Sequence, residues 1–271
     1  MDICPNRSRT VNFLIVATAS VAAVLVVHGV TFLIARRIGR YNIVDITWGL
    51  GFVAIAAVAA TLGSGDLFRR LLLLALTSLW GLRLAWHMYV KTKGHGEDPR
   101  YRDLLGGNLA PGNVIRRIFG TQAVATLVVA LPLMLSATLG PAPAALNVVT
   151  GIGAAVWLAG LTCEAVGDHQ LRVFKRDPAN KGAIMDRGLW SWTRHPNYFG
   201  DACVWWGLWL VSIAGWISLA TVASPVVMTY FLVQVTGARL TERYMKDRPG
   251  FREYCSRTSY FVPLPPRSHT R

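Results

Sequence analysis

Residues Val11 to Ala35 read VNFLIVATASVAAVLVVHGVTFLIA, without one charged side chain. A helix of about 25 residues rises roughly 37 Å, enough to cross a hydrocarbon core of about 30 Å with some tilt. A cleaved leader is the rival reading, because Ala17 and Ala19 imitate a cleavage site. Its apolar core, however, would normally stop after about 7–15 residues. A membrane span over 11–35 is therefore expected.

Working outward, further apolar runs follow at 43–62, 71–90, 119–139 and 148–166. The stretch Ala202 to Val235 is too long for one crossing, so it reads as a pair, 202–214 and 216–235, broken at Ala214-Gly215. Gly49 and Gly51 in the second run permit close helix contact. The whole chain, with 53% hydrophobic and 15% charged residues, is too apolar for a soluble domain of 271 residues. The expected fold is all-α: one domain over 1–271, a polytopic bundle of about seven transmembrane helices with a polar tail over 236–271.

The net charge of +14 does not point to nucleic acid, because the cations sit between apolar runs and not on an amphipathic face with stacking aromatics. Arg36, Arg37 and Arg40, six cations in the Lys91–Arg117 loop, six from Arg172 to Arg194 and eight in the tail fall on one side of a seven-span topology. Only Arg7, Arg9, Arg69 and Arg70 lie opposite. Positive charge collects on the cytoplasmic face, which puts the N-terminus outside and the C-terminus in the cytoplasm of a cell (inner) membrane. The four cysteines, Cys4, Cys163, Cys203 and Cys255, have no paired spacing, so no metal site or disulfide framework is expected.

Ionisable groups inside apolar spans are costly and usually face an interior cavity. Here they are Asp45, Arg83, His87, Glu164 and Asp168. Arg83 and His87, four apart, share a helix face and could join Asp45 in one cavity, although an Asp45–Arg83 ion pair holding two helices together is the plainer alternative. His28, alone on its apolar run, reads as a packing or interface residue. Glu164, Asp168, Arg172 and Lys175 recur at four, four and three residues, so they share a face as the fifth span ends. Just beyond lies Asp186–Asp201, in which Trp190 and Trp192 suit an interface and Arg194, His195, Asn197, Tyr198 and Asp201 crowd polar tips before an apolar helix. The tail adds Glu242, Tyr244, Arg252 and Tyr254 on the same side. Gly151-Ile152-Gly153 lacks the third glycine and the preceding strand of a dinucleotide fingerprint, so any nucleotide must bind in a helix-bundle pocket.

These residues resemble a known family. Gly188-Leu189-Trp190, Arg194-His195-Pro196-Asn197-Tyr198-Phe199-Gly200-Asp201 and Phe251-Arg252-Glu253-Tyr254 with Phe261-Val262-Pro263 look like the steroid 5-alpha-reductase family, in its bacterial DUF1295-type branch. Val44-Asp45-Ile46-Thr47-Trp48-Gly49, Leu79-Trp80-Gly81-Leu82-Arg83-Leu84 and Asp98-Pro99-Arg100-Tyr101 extend the likeness from about Tyr41 onward. The resemblance implies seven membrane helices, NADPH held by the C-terminal half and a lipophilic substrate. By motif, Asp168, Arg172, Lys175, Asn197, Tyr198, Asp201 and Tyr244 would serve the cofactor, and Glu164, Arg194, His195, Arg252 and Tyr254 on the same side are candidates beside them. Asp45 stands near the family's carbonyl-polarising Glu, but Trp80 falls where its partner Tyr is expected, so Trp80 or His87 would supply the second donor. A methyltransferase of the isoprenylcysteine carboxyl methyltransferase kind, using S-adenosylmethionine, shares Arg194-His195-Pro196, Tyr198 and Gly200 and is the alternative. A transporter or scaffold would explain Asp45, Arg83 and His87 as a polar path but leave Asn197 and Asp201 without a role.

Overall fold

The computed structural model describes residues 4–267 and is helical, with no strand among those residues. Five helical stretches, Arg7–Ile38, Val44–Leu62, Leu67–Thr92, Ala144–Arg176 and Trp216–Met245, are long and apolar enough to cross a membrane. Leu14, Ile15, Leu25, Val26, Leu33 and Ile34 stand exposed along the first of them, as lipid contact requires. The chain is a multi-pass membrane protein, and its residues group into two compact units.

The first unit takes residues 1–150 and 211–224. It begins with α1 (Cys4–Ile38), α2 (Val44–Leu62) and α3 (Leu67–Thr92). Asp66 ends the α2–α3 turn and caps α3, its carboxylate accepting from the Arg69 amide at 2.8 Å. Down the α2–α3 hairpin, Gly49 lies against Gly81 so closely that a Cβ on Gly81 would stand 2.7 Å from the Gly49 carbonyl oxygen. The small residues thus do what their sequence positions suggest. Arg69 and Arg70, near the start of α3, serve the backbone. Arg69 donates to Ser136 Oγ and to the Leu139 and Gly140 carbonyls, and Arg70 to the Ala60 carbonyl.

Next come α4 (Pro99–Leu105), α5 (Pro111–Val114), a π-helical turn at Ile115–Gly120, α6 (Thr121–Val129) and α7 (Leu131–Ser136). Asp98 accepts from the Arg100 amide at 2.9 Å and Pro99 takes the first helical position, the pairing that favours a helix start. Tyr101 and Leu105 of α4 pack with Ala35, Val44, Val114, Ile118 and Phe119 in one apolar cluster. The expected span 119–139 is not one helix: it is interrupted at Ala130, just before Pro132 in the first turn of α7. Proline has no amide hydrogen to continue a ladder and restarts the helix there.

The second unit takes residues 151–210 and 225–271. Its α8 (Asn147–Arg176) runs ten residues past the expected end at 166, so Glu164, Asp168, Arg172 and Lys175 do share one helix. The short α9 (Leu189–Trp192) leads to α10 (Pro196–Ser212), which starts six residues before the expected span 202–214 and has 17 residues. Gly160, Gly167 and Gly207 line the α8–α10 contact: a Cβ on Gly160 would lie 2.6 Å from the Gly200 carbonyl oxygen, and one on Gly207 2.6 Å from that of Gly153. The break falls at Ala214-Gly215 as expected, within the 211–224 stretch of the first unit, which also holds α11 (Trp216–Leu219); α12 (Ala223–Tyr230) follows and lies mostly in the second. The tail is helical in part, with α13 (Ala238–Met245) and α14 (Phe251–Arg257); residues 268–271 of the expected tail lie outside the described residues.

Candidate functional site

Each unit carries one polar cluster. In the first, α2 opens with Asp45 in its first turn, and α4 lays Tyr101 across it. The Tyr101 hydroxyl donates to Asp45 Oδ1, Arg100 Nη2 stands 3.8 Å from Asp45 Oδ2, and Gln122 Nε2 of α6 donates to the Tyr101 oxygen at 3.4 Å. Arg100 is held in turn by Asp98, 2.8 Å away. Burial pushes the Tyr101 phenol far above its ordinary range, and the Asp45 charge and hydrogen bond add to that, against Arg100 and Gln122. Tyr101 is therefore a hydrogen-bond donor at any physiological pH. Burial alone would raise the Asp98 carboxyl, but its bonds to Arg100 and the charges of Arg100 and Lys91 hold it below the ordinary range.

The approach of α4 is fixed by a second carboxylate. Glu97 accepts from the backbone amides of Tyr41 and Asn42, the latter at 2.9 Å, while Asn42 Nδ2 donates to the Gly96 carbonyl at 3.1 Å. The loop before α4 is thereby tied to the residues that lead into α2. Packing of Tyr101 and Leu105 against Ala35 and Val44 completes the attachment.

The other expected members of this cluster lie on α3. Trp80 is fully buried, its ring 5.6 Å from that of Phe52, which in turn meets Trp48 edge-on at 5.1 Å. It is packed as a core aromatic between α2 and α3. Arg83 and His87 are half-buried one turn apart, past Gly81 toward the end of α3 that neighbours the start of α2. They share that end of the hairpin with Asp45. Arg100 supplies an ion pair to Asp45.

In the second unit the polar residues before α10 divide into two groups. Arg194 Nε and His195 Nε2 lie 2.8 and 3.1 Å from the same oxygen, Glu242 Oε1 of α13. The His195 ring stacks on Tyr198 with centroids 5.7 Å apart, and the Arg194 guanidinium sits 5.1 Å over Tyr260. Arg194 also donates to the Cys255 carbonyl at 3.1 Å. Burial lowers the His195 pKa, with Arg194 in the same direction and Glu242 opposing both. Both side chains expected at a cofactor thus grip the tail. Tyr254 does likewise: its buried hydroxyl, its pKa raised by that burial, donates to the Trp190 carbonyl at 2.6 Å. The backbone completes the clamp through Arg194 N to Ser259 O at 2.9 Å and Leu264 N to Trp192 O at 3.0 Å.

The second group faces α8. Asn197 Nδ2 donates to Asp168 Oδ1 at 3.2 Å and its Oδ1 accepts from the Tyr198 amide. Glu164, Asp168 and Asp201 are all buried, and Gly200 brings α10 against the Glu164 backbone. Tyr198 Oη lies 3.4 Å from Thr241 Oγ1. Arg172 is half-buried beside His169, with Nη2 3.2 Å from its Nδ1, whereas Lys175, Tyr244 and Arg252 are exposed. Sequence reasoning missed Tyr101 and Arg100 as partners of Asp45, Gln122 as a partner of Tyr101, and Tyr260 beside Arg194. For Tyr101 a signal existed: Asp98-Pro99 announces a helix start, and the tyrosine sits in its first turn.

A family model described as "Protein of unknown function (DUF1295)" matches residues 31–258. Over 52 residues the chain is 40% identical to the probable O-methyltransferase ustE of Ustilaginoidea virens, a match that covers 19% of this chain and only 18% of that protein. No solved structure matches the chain. The family match runs from within α1 to the end of α14 and takes in both polar clusters, and so the chain belongs to the DUF1295 family.

Proposed function

We propose that the protein is a membrane-embedded reductase of the steroid 5-alpha-reductase type, which saturates a carbon-carbon double bond conjugated to a carbonyl in a lipid-soluble substrate. The observation that carries this reading is the Tyr101–Asp45 pair with Arg100 beside it. When hydride reaches the β carbon of an enone, charge develops on the carbonyl oxygen, and a fixed donor in a dry site stabilises it. Tyr101 is buried and protonated, and its single hydrogen rests on Asp45 in this structure. With Asp45 protonated, as this chemistry requires, Asp45 donates to the Tyr101 oxygen and the Tyr101 hydrogen turns to the substrate carbonyl. In this reading Tyr101 is the second donor, where the resemblance offers Trp80 or His87. The α carbon takes a proton from solvent or a neighbouring acid, which completes the reduction.

NADPH, when bound, supplies the hydride. The second unit has a donor set that suits it. Asn197, with Asp168, Glu164 and Asp201 buried around the start of α10, offers the amide and carboxylates that ribose hydroxyls or a nicotinamide amide need. Arg172 and Lys175 at the end of α8 carry charge suited to phosphates. Arg194, His195, Tyr198 and Tyr254 hold the surrounding loop and tail in place. The distribution of cations supports a topology with the N-terminus outside and the C-terminus cytoplasmic in the cell (inner) membrane. Seven crossings follow if the helical stretch 111–136 and the 17-residue α10 also span, since about 17 residues is the lower limit for a crossing.

The 52-residue likeness to a probable O-methyltransferase favours a second reading, in which S-adenosylmethionine occupies the second unit. The test is direct. Purified protein in detergent should oxidise NADPH in the presence of a lipophilic enone and transfer deuterium from deuterated NADPH to the product's β carbon; binding of S-adenosylmethionine with no NADPH binding would replace the reductase by the methyltransferase.

A further inference from the structure

On α1, Val16, Ser20, Val24, His28 and Ala35 form a buried stripe at helical spacing. His28 is 3% exposed, and its Nδ1 lies 3.1 Å from the Val24 carbonyl oxygen one turn back. A carbonyl can only accept, so Nδ1 carries the proton, and in the neutral ring Nε2 is then a bare acceptor. That atom is shut off from solvent and has no hydrogen-bond partner among the described residues. Buried acceptors are nearly always satisfied, and in a membrane bundle no bulk water is at hand to do it.

The surroundings narrow what the partner is. A Cβ on Gly51 would lie 3.6 Å from His28 Cε1 and 3.8 Å from Thr126 Oγ1, so α1, α2 and α6 converge at this level. Thr126 gives its own hydrogen to the Gln122 carbonyl at 2.8 Å, which leaves its oxygen an acceptor as well. One turn away, Thr47 donates to Thr31 Oγ1 at 2.7 Å and Thr31 to the Val27 carbonyl, so those hydroxyls are already engaged. Among the described residues no group of three or more His, Cys, Asp or Glu is placed to hold a metal. His28 lies seven residues from Ala35, the last residue of the uncharged run, about 10 Å into a core of about 30 Å.

We propose that His28 is a binding residue within the membrane core, whose Nε2 accepts a hydrogen bond from the hydroxyl of a lipid-soluble alcohol, with Thr126 as the neighbouring acceptor. The site belongs to the first unit alone and does not depend on nicotinamide chemistry.

The experiment uses the full chain in detergent micelles, labelled with 15N-histidine and without NADPH. Three alcohols, 1-dodecanol, 4-nonylphenol and cholesterol, are titrated beside dodecane and dodecyl methyl ether. The expected result is that at least one alcohol moves the Nε2 resonance of the solvent-shielded, Nδ1-protonated ring in a saturable way, while alkane and ether leave it in place. His28→Leu should weaken binding of that alcohol at least tenfold, but the resonance itself is read on the wild type and does not depend on a variant folding. A resonance unmoved by all three alcohols, moved equally by the ether, or already at its hydrogen-bonded position beforehand because water fills the site overturns the proposal. None of these outcomes touches NADPH oxidation, which is measured separately.

Discussion

Tyr101 donates its phenolic hydrogen to Asp45 across 56 positions of sequence, joining the first turn of α4 to the first turn of α2. The pair is positioned from outside its own helices, by Glu97 on the amides of Tyr41 and Asn42 and by Asp98 on Arg100. On the proposed chemistry, Tyr101→Phe keeps the packing and removes the donor. Turnover should fall about 10²–10³-fold, the usual loss for one such donor. Asp45→Asn should abolish turnover while leaving NADPH affinity within a few-fold, because transition-state stabilisation and cofactor binding are lost separately. Steady-state rates and calorimetry on both variants check this; equal loss of rate and NADPH affinity would move Asp45 to the cofactor.

Helix approach in the first unit rests on the absence of two side chains. A Cβ on Gly81 would stand 2.7 Å from the Gly49 oxygen and 2.8 Å from Val53 Cγ2, and the former is backbone, which cannot swing aside. Gly81→Ala should therefore cost about 1–3 kcal/mol, as overpacking typically does. Gly151→Ala is the control, with nothing within 4 Å of its added Cβ. Thermal unfolding in one detergent should separate the two, and an unchanged midpoint for Gly81→Ala would mean that α2 and α3 do not meet at these glycines.

His195 ties acid stability to the tail. Its pKa is depressed in the folded protein by burial and by Arg194, against the pull of Glu242. The folded state then binds fewer protons than the unfolded one, so stability is full above the unfolded value of about 6.5 and declines as pH falls through it toward the folded value. Melting temperature should drop between about pH 7 and 5, and His195→Gln, which has no titratable ring, should flatten that slope. A slope identical in the variant would place the titrating group elsewhere.

The apolar runs, the α2–α3 turn and the break at Ala214-Gly215 were legible because long uncharged stretches and glycine turns act locally. The interruption at Ala130 was not, because only Pro132 marks it within an otherwise unbroken apolar run. The face carrying Glu164, Asp168 and Arg172 was legible from helical spacing. Long-range pairing was not: nothing local to Asp45 names Tyr101, and nothing local to Arg194 or His195 names Glu242. In each case a cluster readable as a ligand site includes side chains already committed to another part of the chain. Gly188, with φ of 61°, has Gln170 of α8 where a Cβ would stand, a neighbour that no local pattern names.

Topology can be read by thiol labelling. Cys255 is a poor reporter, because it is half-buried and that burial raises its thiol pKa, which leaves little thiolate to react. Lys181 is exposed in the turn after α8. In intact cells, Lys181→Cys should resist a membrane-impermeant maleimide and react only after permeabilisation. Labelling from outside would overturn the proposed orientation.

Reductase and methyltransferase part at Asn197 and Asp201. Both readings include the Arg194-His195-Pro196 turn and Tyr198, and here Arg194 and His195 face Glu242. Asn197 instead reaches Asp168 of α8, and Asp201 is buried one turn further along α10. An amide and carboxylates so placed match a neutral head group with hydroxyls and an amide, which a nicotinamide riboside presents. Asn197→Ala and Asp201→Ala should each weaken NADPH binding by about 1–3 kcal/mol, the loss expected when a buried polar partner is left unmatched. Exposed Lys175, changed to alanine, should cost less and lose its effect at high salt, because a solvated charge is screened. Calorimetry with NADPH and with S-adenosylmethionine on the wild type and the three variants checks the assignment. Tight S-adenosylmethionine binding that the two α10 variants weaken, with no NADPH binding at all, would transfer the same residues to the methyltransferase.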